Sequence, residues 1–391
     1  MKFLRALIVV GLMAALPAWA VYAPIPEQDQ GKDFTATLRA GISHDSNLFG
    51  AASGAIDSMV YELAPRFSYN ASLTAQTFLA AGYGLTLDYF DNRPGDKLLD
   101  SHEASLRLAH AFSQSTTIDL NNVFMITRNP ESLLAGVPLN SDQSFQRNQL
   151  DARFGTALTG KIGLTVKART VYFNYRNAAL GRSLDRAENL YGAAGDYAIL
   201  PEVKAVVEFR HQDLYYTKSG ETKNKSSEFL MAGVDYAAAK KILITGRLGA
   251  EWRRRAAERN TTAPYAEFSI KYDYAEMSYL SGGYGYTLEE ASDTARFTDS
   301  SVHRLFVNVQ HRLTPLITAS TSVAYDISEL QGRRGITNVD ENTLRFGAAL
   351  AYLPTTHWTL SASFDHDRSH SDDRGRNLQR ERFGLNATYA F

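Results

Sequence analysis

Phe383-Gly384-Leu385-Asn386-Ala387-Thr388-Tyr389-Ala390-Phe391 alternates without a break. Apolar residues hold every odd position, and small or polar residues hold every even one. A period of two is the mark of a strand with one greasy face and one polar face. In a water-soluble protein that strand would lie on a core. Here it ends a chain without cysteine in which the same pattern recurs throughout. It therefore reads as the closing strand of an all-β, up-and-down antiparallel transmembrane barrel.

The recurrence begins at Phe34, where Phe34, Ala36, Leu38, Ala40 and Ile42 share one face. Tyr61, Leu63, Pro65, Phe67 and Tyr69 repeat it, then Leu79, Ala81, Tyr83, Leu85 and Leu87. Ile242, Ile244, Gly246, Leu248, Ala250 and Trp252 oppose Thr245, Arg247, Glu251 and Arg253. A face of about ten residues, rising ~3.3 Å each at a tilt of roughly 35–45°, spans the ~25 Å apolar band of an outer membrane. No stretch after the N-terminal segment reaches the ~18 apolar residues of a membrane helix. A membrane protein without such helices must be a closed barrel, because lipid offers no partner to unpaired backbone groups.

Connections alternate in length. Tight ones fall near Ser113-Gln114, Gly160-Lys161, Pro201, Lys240-Lys241, Ala275-Glu276, Thr314-Pro315 and Thr355-Thr356. Long ones fall near 43–57, 91–98, 129–144, 178–185, 217–225, 255–262, 289–299, 328–338 and 367–376. Short turns belong to the periplasmic end of an outer-membrane barrel and long loops to the cell surface. Both barrel termini then lie in the periplasm, and nine long loops with eight short turns give eighteen strands. Sixteen is the alternative if a weak pair such as 186–198 is not formed.

Strand parity sends a set of charges inward. Arg39, Arg66, Arg107, Arg153, Lys167, Arg169, Arg210, Arg247, Glu251, Arg253, Lys271, Arg304, Arg345 and Arg382 are the candidate cargo contacts, with Lys204 and Arg312 on the same face. Glu62, Asp88, Asp119, Asp151, Glu208, Asp235, Glu267, Asp273, Asp326 and Asp365 accompany them. A basic side chain facing lipid at the midplane would cost about 2–4 kcal/mol, which fixes the assignment. Mutual pairing across strands is the simplest role for these groups. The functional alternative is a track for an anionic or heavily hydroxylated solute, with outer loops such as 129–144 constricting it.

The N-terminal segment carries Lys2 and Arg5, an apolar run from Ala6 to Leu16, and Pro17-Ala18-Trp19-Ala20 as an A-x-A site. This is the form of a secretory signal peptide, cleaved near Ala20. Residues 21–32 read as a polar periplasmic lead-in and 33–391 as the barrel. Without Lys2 and Arg5 the chain has 39 basic and 42 acidic residues, a formal charge of −3. Such a balance speaks against nucleic acid as a partner. Outer-membrane lipid and lipopolysaccharide are the expected surroundings, and Arg254 beside Trp252 is a candidate contact for lipid phosphate.

The internal stretch with most character is Gly41-Ile42-Ser43-His44-Asp45-Ser46-Asn47-Leu48-Phe49-Gly50. Asp, Ser and Asn turn the chain by bonding nearby backbone, and Leu48 with Phe49 adds an apolar plug. A first barrel strand running into Asp45, Ser46, Asn47 and Phe49 resembles the β-barrel porin family found in exopolysaccharide loci, especially its EpsL-type members. Gly50 departs from that pattern, in which Arg is frequent. The resemblance covers nearly the whole mature chain and implies export of a secreted polysaccharide across the outer membrane, together with polysaccharide export machinery. The tail with Tyr389 and terminal Phe391 likewise resembles the signal read by barrel-assembly machinery.

Two other classes stay open at this point: a general or small-solute porin, and a barrel enzyme acting on surface lipid or glycan. The best enzyme candidate is His303 beside Ser301 and Asp299, since a nucleophile needs an adjacent base; His102 and His110 lie near Ser101 and Ser105. Asp365 to Arg374 alternates His and Asp but reads as a charged outer loop rather than a metal site. No P-loop, dinucleotide-binding or CxxC signature is present, so no cofactor is expected.

Overall fold

The computed structural model describes residues 33–391 except 128–143 and the isolated positions 219, 220, 240, 292 and 294. The signal peptide, the lead-in and almost all of the 129–144 loop lie outside the described residues. Eighteen strands form one sheet: β1 (Phe34–Asp45), β2 (Ser58–Thr74), β3 (Thr77–Phe90), β4 (Leu98–Ala111), β5 (Thr116–Thr127), β6 (Phe145–Ala157), β7 (Ile162–Tyr175), β8 (Arg186–Leu200) and β9 (Val203–Tyr216). The second half continues with β10 (Lys225–Ala238), β11 (Ile242–Arg255), β12 (Thr261–Ala275), β13 (Ser278–Glu290), β14 (Phe297–Thr314), β15 (Ile317–Gly332), β16 (Val339–Tyr352), β17 (Trp358–Ser371) and β18 (Leu378–Ala390). One short helix, α1 (Ala178–Leu184), interrupts the β7–β8 connection.

Every strand pairs antiparallel with its sequence neighbours, and β1 pairs with β18, so the sheet closes without an edge. The closing register sets Leu38 against Tyr389 and Ile42 against Leu385. The pair read as weak exists in full: β8 follows β7 from Ile162↔Tyr197 to Phe173↔Arg186, which fixes eighteen strands rather than sixteen. Large apolar side chains stand exposed around the outer wall, among them Phe67, Leu106, Val207, Leu230, Leu248, Leu305 and Leu385. Water could not tolerate so continuous an apolar surface; lipid requires it.

Strands run further outward than their hydrophobic pattern. β17 continues through His366, Asp367, Arg368, Ser369 and His370 to Ser371, so most of the expected 365–374 loop is strand. The 43–57, 289–299 and 328–338 loops shorten in the same way. Beyond the apolar band the outward face no longer needs greasy residues, while the backbone ladder still gains from pairing. The alternation of hydrophobicity ends there and the strand does not.

At the outer end, loops bend inward. Leu184 of α1 is buried with Phe145 and Tyr175, with Leu180 and Phe173 packed beside them. Leu48 packs on Val60, Phe90 and Leu99. Ala291 and Phe297 join Leu330 and Val339. These wall residues share the parity of the inward charges, so each cluster seals a loop against the inside of the mouth.

Candidate functional site: the charged lumen and its outer mouth

The inner wall is built of ion pairs, most of them between neighbouring strands, with Arg66–Glu103 reaching two strands across and Lys271–Asp273 within one strand. Arg39 meets Glu62 at 2.5 Å, Arg66 meets Glu103 at 2.6 Å, and Arg107 Nε donates to Asp119 at 3.0 Å. Arg169 reaches Asp151 at 2.5 Å, Arg247 reaches Asp235 at 2.7 Å, and Lys271 reaches Asp273 at 3.0 Å. Arg382 lies 3.5 Å from Asp367. Two carboxylates are shared. Glu208 accepts from Lys167 at 3.0 Å and from Arg210 at 2.7 Å. Asp326 accepts from Arg304 at 2.8 and 3.0 Å and from Arg345 at 3.3 Å. Sharing leaves the Glu208 group one positive charge in excess, whereas Arg304 also donates to Glu289 at 2.9 Å and balances the Asp326 group. Arg153 is exposed on the same inner face.

Pairing answers the desolvation cost that any charge would otherwise carry against a protein wall. It also makes clear what sequence parity overlooked. Arg147, Arg186, Lys225 and Arg380 point inward, as do Asp45, Glu103, Glu188, Asp196, Glu289, Glu341 and Asp367. Their alternation was the usable signal, but most lie toward a strand end where the apolar partner face has thinned, Glu103 in the middle of β4 being the exception.

The inner wall changes character with height. Toward the periplasm its charges are open: Lys204 is 52% exposed and Lys271 49%. Toward the outer end they are sealed. Asp299 and Glu251 have no exposure at all, and Asp45, Glu341, Arg253 and Arg380 are buried. Asp299 accepts from Lys225 at 3.0 Å and from Arg253 and Arg255, while Lys225 also donates to Glu290 at 2.7 Å. Arg253 Nε donates to Glu251 at 2.8 Å, and the Ser227 hydroxyl donates to the same carboxylate oxygen at 2.7 Å. Loops are tied to one another across several strands: Arg333 donates to Glu258 at 3.2 Å and Arg296 to Asp373 at 2.8 Å. Arg376 holds Glu341 at 2.9 Å and lies over the Phe297 ring.

The Asp-Ser-Asn stretch is a clasp on the closing seam. Asp45 Oδ1 caps the Asn47 amide at 3.0 Å and accepts from Arg380 Nε at 3.0 Å. Asn47, also buried, donates to the carbonyls of Ala51 at 2.9 Å and Gln379 at 3.0 Å. Ser46 exchanges backbone and hydroxyl bonds with Glu381 at 2.9 and 2.8 Å. Phe49 stacks under Arg93 at 5.7 Å. At the other end of the seam, Tyr389 packs on Trp358 at 5.0 Å, and the Phe391 amide donates to Ala36 at 3.0 Å with its ring largely exposed.

The sites weighed for catalysis do not assemble. His303 bonds the Tyr284 hydroxyl at 2.9 Å on the outward face, Ser301 donates to the Glu329 carbonyl at 3.4 Å, and Asp299 is held by three cations. The register of β14 slips between Phe297 and Asp299 and runs unbroken from Asp299 to His303, yet the three groups bond separate partners. His102 bonds Tyr83 at 2.8 Å and His110 bonds Thr77 at 2.8 Å, both on the outward face. Among the described residues no group of three or more His, Cys, Asp or Glu could hold a metal.

The family model described as putative beta-barrel porin 2 matches residues 34–391, which is the whole barrel. No curated protein matches the chain in sequence. Among solved structures, the outer membrane protein OpdK from Pseudomonas aeruginosa is 10% identical with a TM-score of 0.49, over 92% of this chain and 98% of that one. The copper transporter OprC is 15% identical with a TM-score of 0.48, over 90% of this chain, which spans only 64% of its length. OccAB3 from Acinetobacter baumannii is 12% identical with a TM-score of 0.46, over 92% and 99%.

Proposed function

The chain belongs to the putative beta-barrel porin 2 family, an outer-membrane channel barrel, and from that membership we propose that it carries a secreted polysaccharide from the periplasm to the cell surface. One observation carries this reading. The charged inner wall is open toward the periplasm and sealed toward the outside. A wall whose charges are exposed at the periplasmic end and buried in ion pairs at the outer end favours capture from within and release outward. The wall chemistry supports a sugar polymer as cargo. Ser320, Ser322, Ser361, Ser363 and Asn386 alternate inward on β15, β17 and β18. Hydroxyls and amides exchange hydrogen bonds with sugar hydroxyls at little cost.

The barrel holds no energy source, so the polymer would be driven by export machinery elsewhere in the envelope. Arg254, on the outward parity above the apolar band, supports lipopolysaccharide as its neighbour, and the exposed Phe391 supports recognition by barrel-assembly machinery. The test is a chromosomal deletion in the source bacterium with polysaccharide measured in medium and periplasm. Export predicts that extracellular polymer falls and periplasmic polymer accumulates. Unchanged release would overturn the reading.

A further inference from the structure

We propose that the cargo is an acidic polysaccharide and that a ladder of cations on β6 to β9 guides it. This rests on the export reading and adds the chemical class of the polymer.

The inner charges are not spread evenly. Strands β6 to β11 present eleven cations and six carboxylates inward, while the other twelve strands present nine and thirteen. Within β6 to β9 seven cations and four carboxylates form rungs, with Lys204 3.5 Å from Asp196 and Arg186 2.7 Å from Glu188. Lys204 stands lowest, near the periplasmic turn. Above it, Arg153 is the register partner of Lys167, Lys167 of Gly192, and Gly192 of Arg210. Three cations thus lie in one row, with Glu208 shared by Lys167 and Arg210 and Asp119 the register partner of Arg153, and the Arg210 and Glu208 side chains lie over Gly192. Arg169 forms the next rung beside Asp151. Arg147 and Arg186, both register partners of Phe173, form the top one. Arg186 lies 4.3 Å over that ring, beside the residues on which α1 packs.

The Arg169 rung lies two residues above that of Lys167, roughly 7 Å along the strand, the top rung four residues further, roughly 13 Å, and Lys204 six residues below Arg210, roughly 20 Å. A polymer bearing a carboxylate, sulfate or phosphate on each sugar is long enough to touch several rungs at once. Nine strands away, the opposite wall on β15 to β17 carries the inward serines. A polymer between them would meet cations on one side and hydroxyls on the other, which is the division of an acidic sugar chain. A neutral glycan gains nothing from the ladder. A small anion needs no hydroxyl wall.

Two substitutions isolate the ladder. Lys167→Gln leaves Glu208 with Arg210, and Arg345→Gln leaves Asp326 with Arg304. Each removes one of two cations that share a carboxylate, on opposite walls, so the change in charge is the same. The protein is inserted in planar bilayers, and polygalacturonate or neutral dextran of similar size is added on the periplasmic side. Binding of the same two polymers to the detergent-solubilised barrel is followed by calorimetry. The ladder predicts a preference for chloride over potassium, with block and binding by polygalacturonate but not by dextran. Lys167→Gln should raise the half-blocking concentration about tenfold, the worth of one ion contact of ~1.4 kcal/mol. Arg345→Gln should raise it much less.

Equal block by both polymers, equal effects of the two substitutions, or no polygalacturonate binding in calorimetry would each overturn the ladder. None of those results touches export itself. Loss of export is read separately, from the deletion strain.

Discussion

Asp45 shows how much can depend on one carboxylate. It is buried, it caps the turn at Asn47, and it holds Arg380 of the last strand. Removing it leaves a buried guanidinium without its counter-charge, a loss of about 3–5 kcal/mol. Asp45→Ala should therefore lower the temperature at which the folded barrel converts to the slower-migrating form on a denaturing gel. Asp45→Ala with Arg380→Met should recover part of that loss. An unchanged transition in the single variant would show that the clasp contributes nothing. At this scale the sequence was informative about direction and silent about partner. Lys167 and Arg169 had to face inward because lipid would not accept them. That Glu208 serves both Lys167 and Arg210 follows from the register of β7, β8 and β9, which no single strand's pattern contains. Asp299 is the sharper case, because the three cations that hold it come from β11 and β10, three and four strands away from its own β14.

Among elements, the outer loops hold one another through exposed and half-buried pairs. Hydrogen bonding from Arg296 keeps the Asp373 carboxyl below the usual aspartate range. A depressed pKa means that the contact stabilises the folded loops at all pH above the ordinary value of ~3.9 and is lost as pH falls below it. Current fluctuations through the barrel should then increase below about pH 4. Arg296→Ala should show the same fluctuations at neutral pH, and a trace as quiet as the native protein would refute the link. These loops also mark where sequence reading stopped. The chain between 365 and 371 looked like a loop because His366, Arg368 and His370 occupy the outward face, where apolar residues had marked a strand lower down. The inward bend of Leu48, Leu184 and Phe297 depends on wall residues far away in sequence, and nothing local announces it.

As a whole molecule, the barrel is stabilised from opposite directions on its two faces: lipid outside, paired charge inside. Leu248 lies 70% exposed on the outward face of β11. Leu248→Arg should destabilise the protein in lipid by about 2–4 kcal/mol at the midplane and by less toward either interface. Urea-induced unfolding from lipid vesicles measures this, and a neutral result would place Leu248 outside the apolar band. The closed all-β architecture was legible because the outward period of two recurs in every strand and the loop lengths alternate. The difference between exposed charges at the periplasmic end and buried ones at the outer end was not, because it arises from ion pairs between residues on different strands and loops.

The clasp joins residues 335 positions apart in the chain. Bringing two points together over so long an interval forfeits chain entropy that grows as the logarithm of the separation, about 5 kcal/mol beyond a constant. No chain lacking β18 can recover that loss through this contact, because Arg380 lies in β18. Until then β1 has β2 on one side and an unpaired backbone on the other. Closure is thus a check on completeness: a chain cut short lacks the partner that β1 requires and remains an open, adhesive ribbon. The buried pair and the turn around Asn47 convert arrival of the last strand into a commitment that the earlier seventeen cannot make without it.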